Sequence, residues 1–299
     1  MAFPGYIPAN KTKTARPGIV LPVSIITGLI AIVLVYFLVL NELTLTDSVK
    51  GIIVLGMIAF WICICGMVYA FLSQKNMDNA FQILYEKCDP EKFIRRMEYW
   101  IHHASPEVSI NMLVLHQICG IYYAGNGREA LDRLIGFYDF SPDDEGGIYE
   151  RLSYHQLLFI FYINLNDIEH AERSLNEFQR YVDSLDAGDD LYVQNYLGNC
   201  KAFLKAGPIY LNMRKGSCDG AEEFFIRRLD ASQTLLDRVF AHFSLARIFM
   251  MEKRFDEAEA SFQYVLVHGN KLFVVAKART CMDDIAAHTN KAPVRSQTI

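Results

Sequence analysis

Residues 239–270 read VFAHFSLARIFMMEKRFDEAEASFQYVLVHGN. Apolar side chains recur three and four apart on both sides of a short charged break, Glu252-Lys-Arg. That is the pattern of two amphipathic helices joined by a tight turn. Counting Val239 as position 1, Leu245 and Ala246 hold positions 7 and 8, and Phe249 holds 11. Ala258, Phe262 and Val265 hold 20, 24 and 27. The small residues at 8 and 20 let the two helices approach closely, and the aromatics at 11 and 24 fill the space beside them. Such a pair cannot bury its own apolar face, so it needs neighbours of the same kind.

Neighbours are found by working towards the N-terminus. A unit starting at Leu152 puts Leu158 and Phe159 at 7 and 8, Tyr162 at 11, Ala171 at 20, Leu175 at 24 and Phe178 at 27. Phe159 stands where a small residue is wanted. A unit from Asn111 has Ile121, Gly125, Ala130, Leu134 and Phe137 at 11, 15, 20, 24 and 27. A weaker one from Gln74 has Ala80, Phe81, Leu84, Phe93 and Trp100, with Phe93 in place of the Ala at 20. Between 190 and 235 the phase breaks. Tyr196, Cys200 and Phe203 fit a first helix and Ala221 and Phe225 its partner, with about nine extra residues between them, among them Pro208 to Arg214. Leu272 to Ala287 reads as a closing helix.

This set of positions resembles the tetratricopeptide repeat (TPR), a helix–turn–helix of about 34 residues. The resemblance covers roughly residues 74–289. It implies an all-α solenoid of about five stacked helix pairs, curved and right-handed, that takes protein or peptide ligands along its concave face. That face is lined by positions 2, 5, 9 and 12 of each first helix. Carried onto this chain, those positions include Tyr85, Met112, Tyr122, Gln156, Gln194, Lys201, Phe243 and Arg247, which become the candidate partner-binding residues. The lining is mixed and partly apolar, and the family's Lys and Asn pair for a C-terminal carboxylate is missing. Whether the 205–220 insertion occupies the groove stays open.

The chain has 299 residues, is 52% hydrophobic and has a mean hydropathy of +0.13. Two charge-free stretches, 17–41 and 51–74, account for the excess. Each is long enough to cross a bilayer, which takes about 20 apolar residues. The expected organisation is a tail over 1–17, membrane spans over 18–40 and 51–72 joined by a short external loop over 41–50, a repeat domain over 73–289 and a tail over 290–299. Lys11, Lys13 and Arg16 precede the first span, and Lys75, Lys87, Lys92, Arg95 and Arg96 follow the second. Basic flanks stay inside, so both termini and the repeat domain are expected in the cytoplasm, at a bacterial plasma membrane. Ser24 and Gly28, and Gly66 and Ala70, are small residues at spacing four and are expected to pack the two spans together. No Asp, Glu, Lys, Arg or His lies within either span, which argues against a stand-alone transporter.

Of 29 basic and 34 acidic side chains, four and two precede residue 73, leaving the remainder with a net charge of −7. That balance excludes the electrostatic footprint of a nucleic-acid binder. The seven cysteines are odd in number and lack a C-x-x-C spacing outside the second span, so neither disulfides nor a zinc site are expected. His116 and Cys119, one helical turn apart, make at most half a metal site. Glu98 with His102 and His103, and Asp283 and Asp284 with His288, read as solvated helix faces. No H-E-x-x-H, G-x-S-x-G or P-loop motif occurs. The expectation is no enzyme, no metal and no cofactor. The reading favoured is a membrane-anchored adaptor or scaffold for a protein partner. The rivals are an accessory subunit of a membrane transport or export complex, whose spans carry the contact, and a membrane enzyme with an unrecognised site.

Overall fold

The computed structural model describes residues 47–103, 110–137, 148–185 and 191–289, without the side chains of 47, 48, 50, 51, 54, 68–76, 191, 192 and 289. The expected first span, the tail before it and most of the loop after it lie outside them. The described residues form eleven helices and no strand. They are α1 (Asp47–Tyr85), α2 (Pro90–His103), α3 (Ile110–Tyr123), α4 (Gly127–Phe137), α5 (Ile148–Asn164), α6 (Ile168–Ser184), α7 (Leu191–Arg214), α8 (Ala221–Asp230), α9 (Leu235–Met251), α10 (Phe255–His268) and α11 (Phe273–Thr289). The fold is all-α among the described residues, and consistent with a helical solenoid.

Contacts divide the chain between Asn79 and Ala80. α1 itself is 39 residues long and passes the expected boundary at 73 without a break, because no proline and no glycine after Gly66 interrupts it. Its earlier part is apolar in sequence on every side but exposed on one: Ile52, Leu55, Phe60, Ile62 and Met67 are each 64–70% exposed, while Met57, Ile58, Trp61 and Ile64 on the other face are half-buried and Cys65 is buried. Side chains are described without a gap only from Leu55 to Met67, and among the described residues no helix is long and apolar enough to cross a membrane.

In the larger unit packing follows the chain. Each helix from α2 to α7 lies on the next, as does each from α8 to α11, while α3 touches α5, α5 touches α7 and α9 touches α11. One turn recurs. Position 15 of the units starting at 74, 111, 152 and 239 is Cys88, Gly125, Asn166 or Lys253, and each has a left-handed backbone, with φ of 50°, 103°, 63° and 61°. In three of them the next N–H closes back on the carbonyl five residues earlier: Asn126 on Ile121 at 3.2 Å, Asp167 on Tyr162 at 2.9 Å and Arg254 on Phe249 at 2.8 Å. This arrangement ends a helix by satisfying its last carbonyls and reverses the chain. The irregular fourth unit uses the same device nine residues late. Gly216 has φ 93°, and the Ser217 N–H meets the Asn212 carbonyl at 2.9 Å. The insertion is therefore added helix. α7 continues through Pro208 to Arg214, although proline removes the N–H that would bond Leu204.

The expected core positions are inside: Ala80, Phe93, Ala130, Leu134, Phe159, Ala171, Phe178, Ala246, Ala258 and Phe262 are all buried. The two bulky residues at small positions are accommodated by the following unit. A Cβ on Gly120 of α3 would stand 3.0 Å from the Phe93 ring and 2.8 Å from Ile94, so a glycine there makes room for them. Phe159 meets Phe203 of α7 edge to face, with ring centroids 5.6 Å apart.

Within this unit the ends meet. The Asn270 amide donates to the Lys87 carbonyl at 2.8 Å, the Lys271 N–H to the Cys88 carbonyl at 3.2 Å, and Lys271 Nζ reaches Glu91 at 3.0 Å and Asp89 at 3.5 Å. In place of the open concave face that the resemblance implies, the inner helices α3, α5, α7, α9 and α11 converge on each other.

Candidate functional site

Where those five helices converge there is a cavity with about 60 Å³ open to water centres. Its wall is aromatic: Tyr122, Tyr210, Phe240, Phe243 and Phe273. Tyr122 lies on the Phe161 ring at 4.9 Å and meets the Phe273 edge at 5.3 Å, so the two ends of the unit share one ring cluster. Ile160, Ile163, Met213 and Val274 complete the apolar part.

Two arginines also line it, Arg214 from α7 and Arg247 from α9, and neither has a carboxylate partner among the described residues. Asn164 Oδ1 accepts from Arg214 Nη2 at 3.2 Å, while its own amide donates to the Ile160 carbonyl at 2.8 Å. Asn164 thus holds the guanidinium in place without neutralising it. Burial, and then the charge of Arg247, press the Arg214 pKa down to about 10. Burial likewise lowers Arg247. Lys277, one turn beyond Phe273 and 4.9 Å above its ring, is lowered by burial and then by both arginines. Burial pushes the Tyr122 phenol far above its ordinary range, so it stays a neutral hydrogen-bond donor. Nearby Asp237 is taken up by Arg228 at 3.3 Å.

A second hollow, more open and about 560 Å³ on the same measure, lies over α5, α7 and α8. It is lined by Gln156, Asn199, Phe203, Lys205, Ile209, Phe224 and neighbours. Gln156 is 2% exposed, and its Oε1 has no hydrogen-bond partner among the described residues.

The candidate partner residues are therefore distributed. Tyr122, Phe243 and Arg247 come together in the cavity, and Gln156 sits in the hollow. Tyr85 is buried beside Phe81, Met112 is half-buried, and Gln194 and Lys201 are exposed on α7. Tyr210, Met213 and Arg214 were missed in the sequence. Their signal is Gly216: taking it as position 15 shifts the unit by nine residues and puts Tyr210 and Met213 at positions 9 and 12. Those are the positions that bring Ile160 and Ile163 to the cavity from α5. In the second span, Gly66 is exposed with open space around it; Ser24 and Gly28 lie outside the described residues, as does the Ala70 side chain.

His116 and Cys119 are core residues. The Phe81 ring packs edge-on against His116 at 4.7 Å; burial lowers the imidazole to about 4 and raises the thiol. No group of three or more metal-ligating side chains gathers among the described residues. His103 and His288 bond backbone carbonyls on their own helices. Comparison with family models, curated proteins and solved structures finds no match to this chain.

Proposed function

We propose that this chain is a membrane-anchored, TPR-like adaptor that captures a protein partner through the hollow over α5, α7 and α8. The observation that carries this reading is the hollow itself, about 560 Å³ and so large enough for several side chains, with Gln156, apolar Phe203, Ile209 and Phe224, and Lys205 in its lining. Apolar contact with a few placed polar groups is how protein surfaces recognise segments of other chains. The α7 face bearing Lys201 and Lys205 offers exposed positive charge for an acidic flank.

Anchoring rests on α1. Residues 51–74 are charge-free, the backbone there is helical, and large apolar side chains stand exposed along one face, among them Ile52, Leu55, Phe60, Ile62 and Met67. In water that surface is unfavourable; in lipid it is matched. Spans over 18–40 and 51–72, with both termini cytoplasmic, follow from the flanking basic residues. Tethering then raises the partner's effective concentration at the bilayer.

The test is affinity purification of the full chain from native membranes, wild type against Gln156→Leu and Lys205→Glu. A protein captured by wild type and lost from both variants supports the adaptor reading. If capture is unchanged in both variants but lost in Gly28→Leu with Gly66→Leu, the spans carry the contact and the chain is an accessory subunit instead. Cysteine labelling gives the topology: a membrane-impermeant maleimide should leave Cys63 and Cys65 untouched in intact membranes, and modification of either contradicts the second span.

A further inference from the structure

We infer that the cavity between α3, α5, α7, α9 and α11 is a binding site for a small oxyanion, a carboxylate or phosphate group carried on an apolar stem. The site is separate from the hollow proposed for the protein partner, and it stands whether or not that proposal does.

The cavity's charge has one sign. Arg214 and Arg247 face it from two helices, Lys277 stands one turn away on a third, and no described acidic side chain lines it. Acids elsewhere on the flanking helices and turns are engaged or turned outward: Asp237 pairs with Arg228, Glu252 with Arg254, and Asp284 is exposed. Gathering cations in an apolar wall disfavours the folded state unless an anion joins them. The lowered pKa of Arg214 reflects its burial first and that repulsion second. Asn164 fixes Arg214 through one nitrogen and leaves the rest of the guanidinium to donate. A guanidinium presents two parallel N–H groups to carboxylate or phosphate oxygens. Ser244 and Tyr210 also stand in the lining, and the Tyr210 hydroxyl accepts a hydrogen bond from Arg228 Nη1 at 3.5 Å.

Size narrows the ligand. About 60 Å³ on this measure holds on the order of five water-sized atoms. That admits a phosphate, or a carboxylate with the first two or three carbons of its stem, the rest of which must pass out through the cavity mouth, and excludes a folded peptide segment. The five aromatic rings around it suit the first atoms of an apolar stem.

Full-length protein in neutral detergent would be titrated calorimetrically with inorganic phosphate, hexanoate, hexyl phosphate and hexylammonium. Hexanoate or hexyl phosphate should bind at least tenfold more tightly than inorganic phosphate, and hexylammonium should not bind. Arg214→Met and Arg247→Met should each weaken binding at least tenfold. Repeating the titration with short-chain phosphatidic acid separates the sources, since preference for it over hexyl phosphate assigns a lipid headgroup and the reverse a soluble anion. Equal binding of hexylammonium and hexyl phosphate, or no binding of any anion to wild type, overturns the inference without relying on a variant. So does undiminished binding in the double variant. Capture of a protein partner should survive Arg214→Met, and its loss through Gln156→Leu should leave anion binding intact, so each proposal fails separately.

Discussion

Gly207 shows how one missing side chain sets a helix contact. A Cβ there would stand 2.6 Å from both methyl carbons of Leu175, which is itself buried between α6 and α7. Gly207→Val should destabilise the fold by about 2 kcal/mol, because overpacking forces side chains off their rotamers. Chemical denaturation checks it. In a double-mutant cycle, Leu175→Ala should relieve much of the penalty of the added valine, so the two single losses should sum to more than the loss measured in the double variant. His116 makes a different kind of prediction. Its folded pKa, about 4, lies below the ordinary value of 6.5, so the unfolded chain takes up the proton first as pH falls. Stability from the neutral, buried ring is complete above about pH 6.5 and is lost as pH falls towards 4. His116→Leu should flatten the fall in denaturation midpoint between those limits; an unchanged slope would place the titration elsewhere, for instance on His155 or His242, which burial also lowers.

Among elements, the turn between α9 and α10 is the most heavily tied. Arg254 reaches Glu222 of α8 through two nitrogens at 2.7 and 3.0 Å, Glu252 at 2.8 Å and Glu257 at 2.5 Å, and lies over the Phe249 ring at 4.3 Å. One cation holds three carboxylates together. Arg254→Met should lower the thermal midpoint at low ionic strength, and about 1 M NaCl should remove part of the deficit by screening the carboxylates left behind. A deficit insensitive to salt would point to lost ring packing instead. This turn also shows what the sequence makes legible. Helix pairs and their turns depend on local spacing, so Val239 to Asn270 could be read without a neighbour, and the buried set at Ala246, Ala258 and Phe262 agrees. Phe93 and Phe159 could not be judged in the same way, because what accommodates them, Gly120 and Phe203, belongs to the next unit. The cavity was legible in half. Tyr122, Phe243 and Arg247 kept their register, but Arg214 stands beyond Pro208, where a helix expected to end goes on. Its pairing with Arg247 arises only from the convergence of α7 and α9.

For the unit from Ala80 onward, contact between its ends changes how it should unfold. An open array of repeats frays from its ends. Here Lys271 and Asn270 tie the last turn to residues 87–91, and Tyr122 and Phe273 join the interior. Amide exchange in α11 should therefore be about as slow as in α5. Lys271→Glu combined with Asn270→Ala should speed exchange in α11 and in α2 together while leaving α6 unchanged. Acceleration in α11 alone would mean that the ends touch without supporting each other.

The same closure fixes copy number. An open solenoid can gain or lose a unit by duplication and keep every remaining interface. Here an added pair would carry Asn270 away from Lys87, and a deleted pair would leave no path for the chain between them. Length variation in this architecture should accordingly fall within units, as it already does in the nine residues that lengthen α7, and not in the number of units.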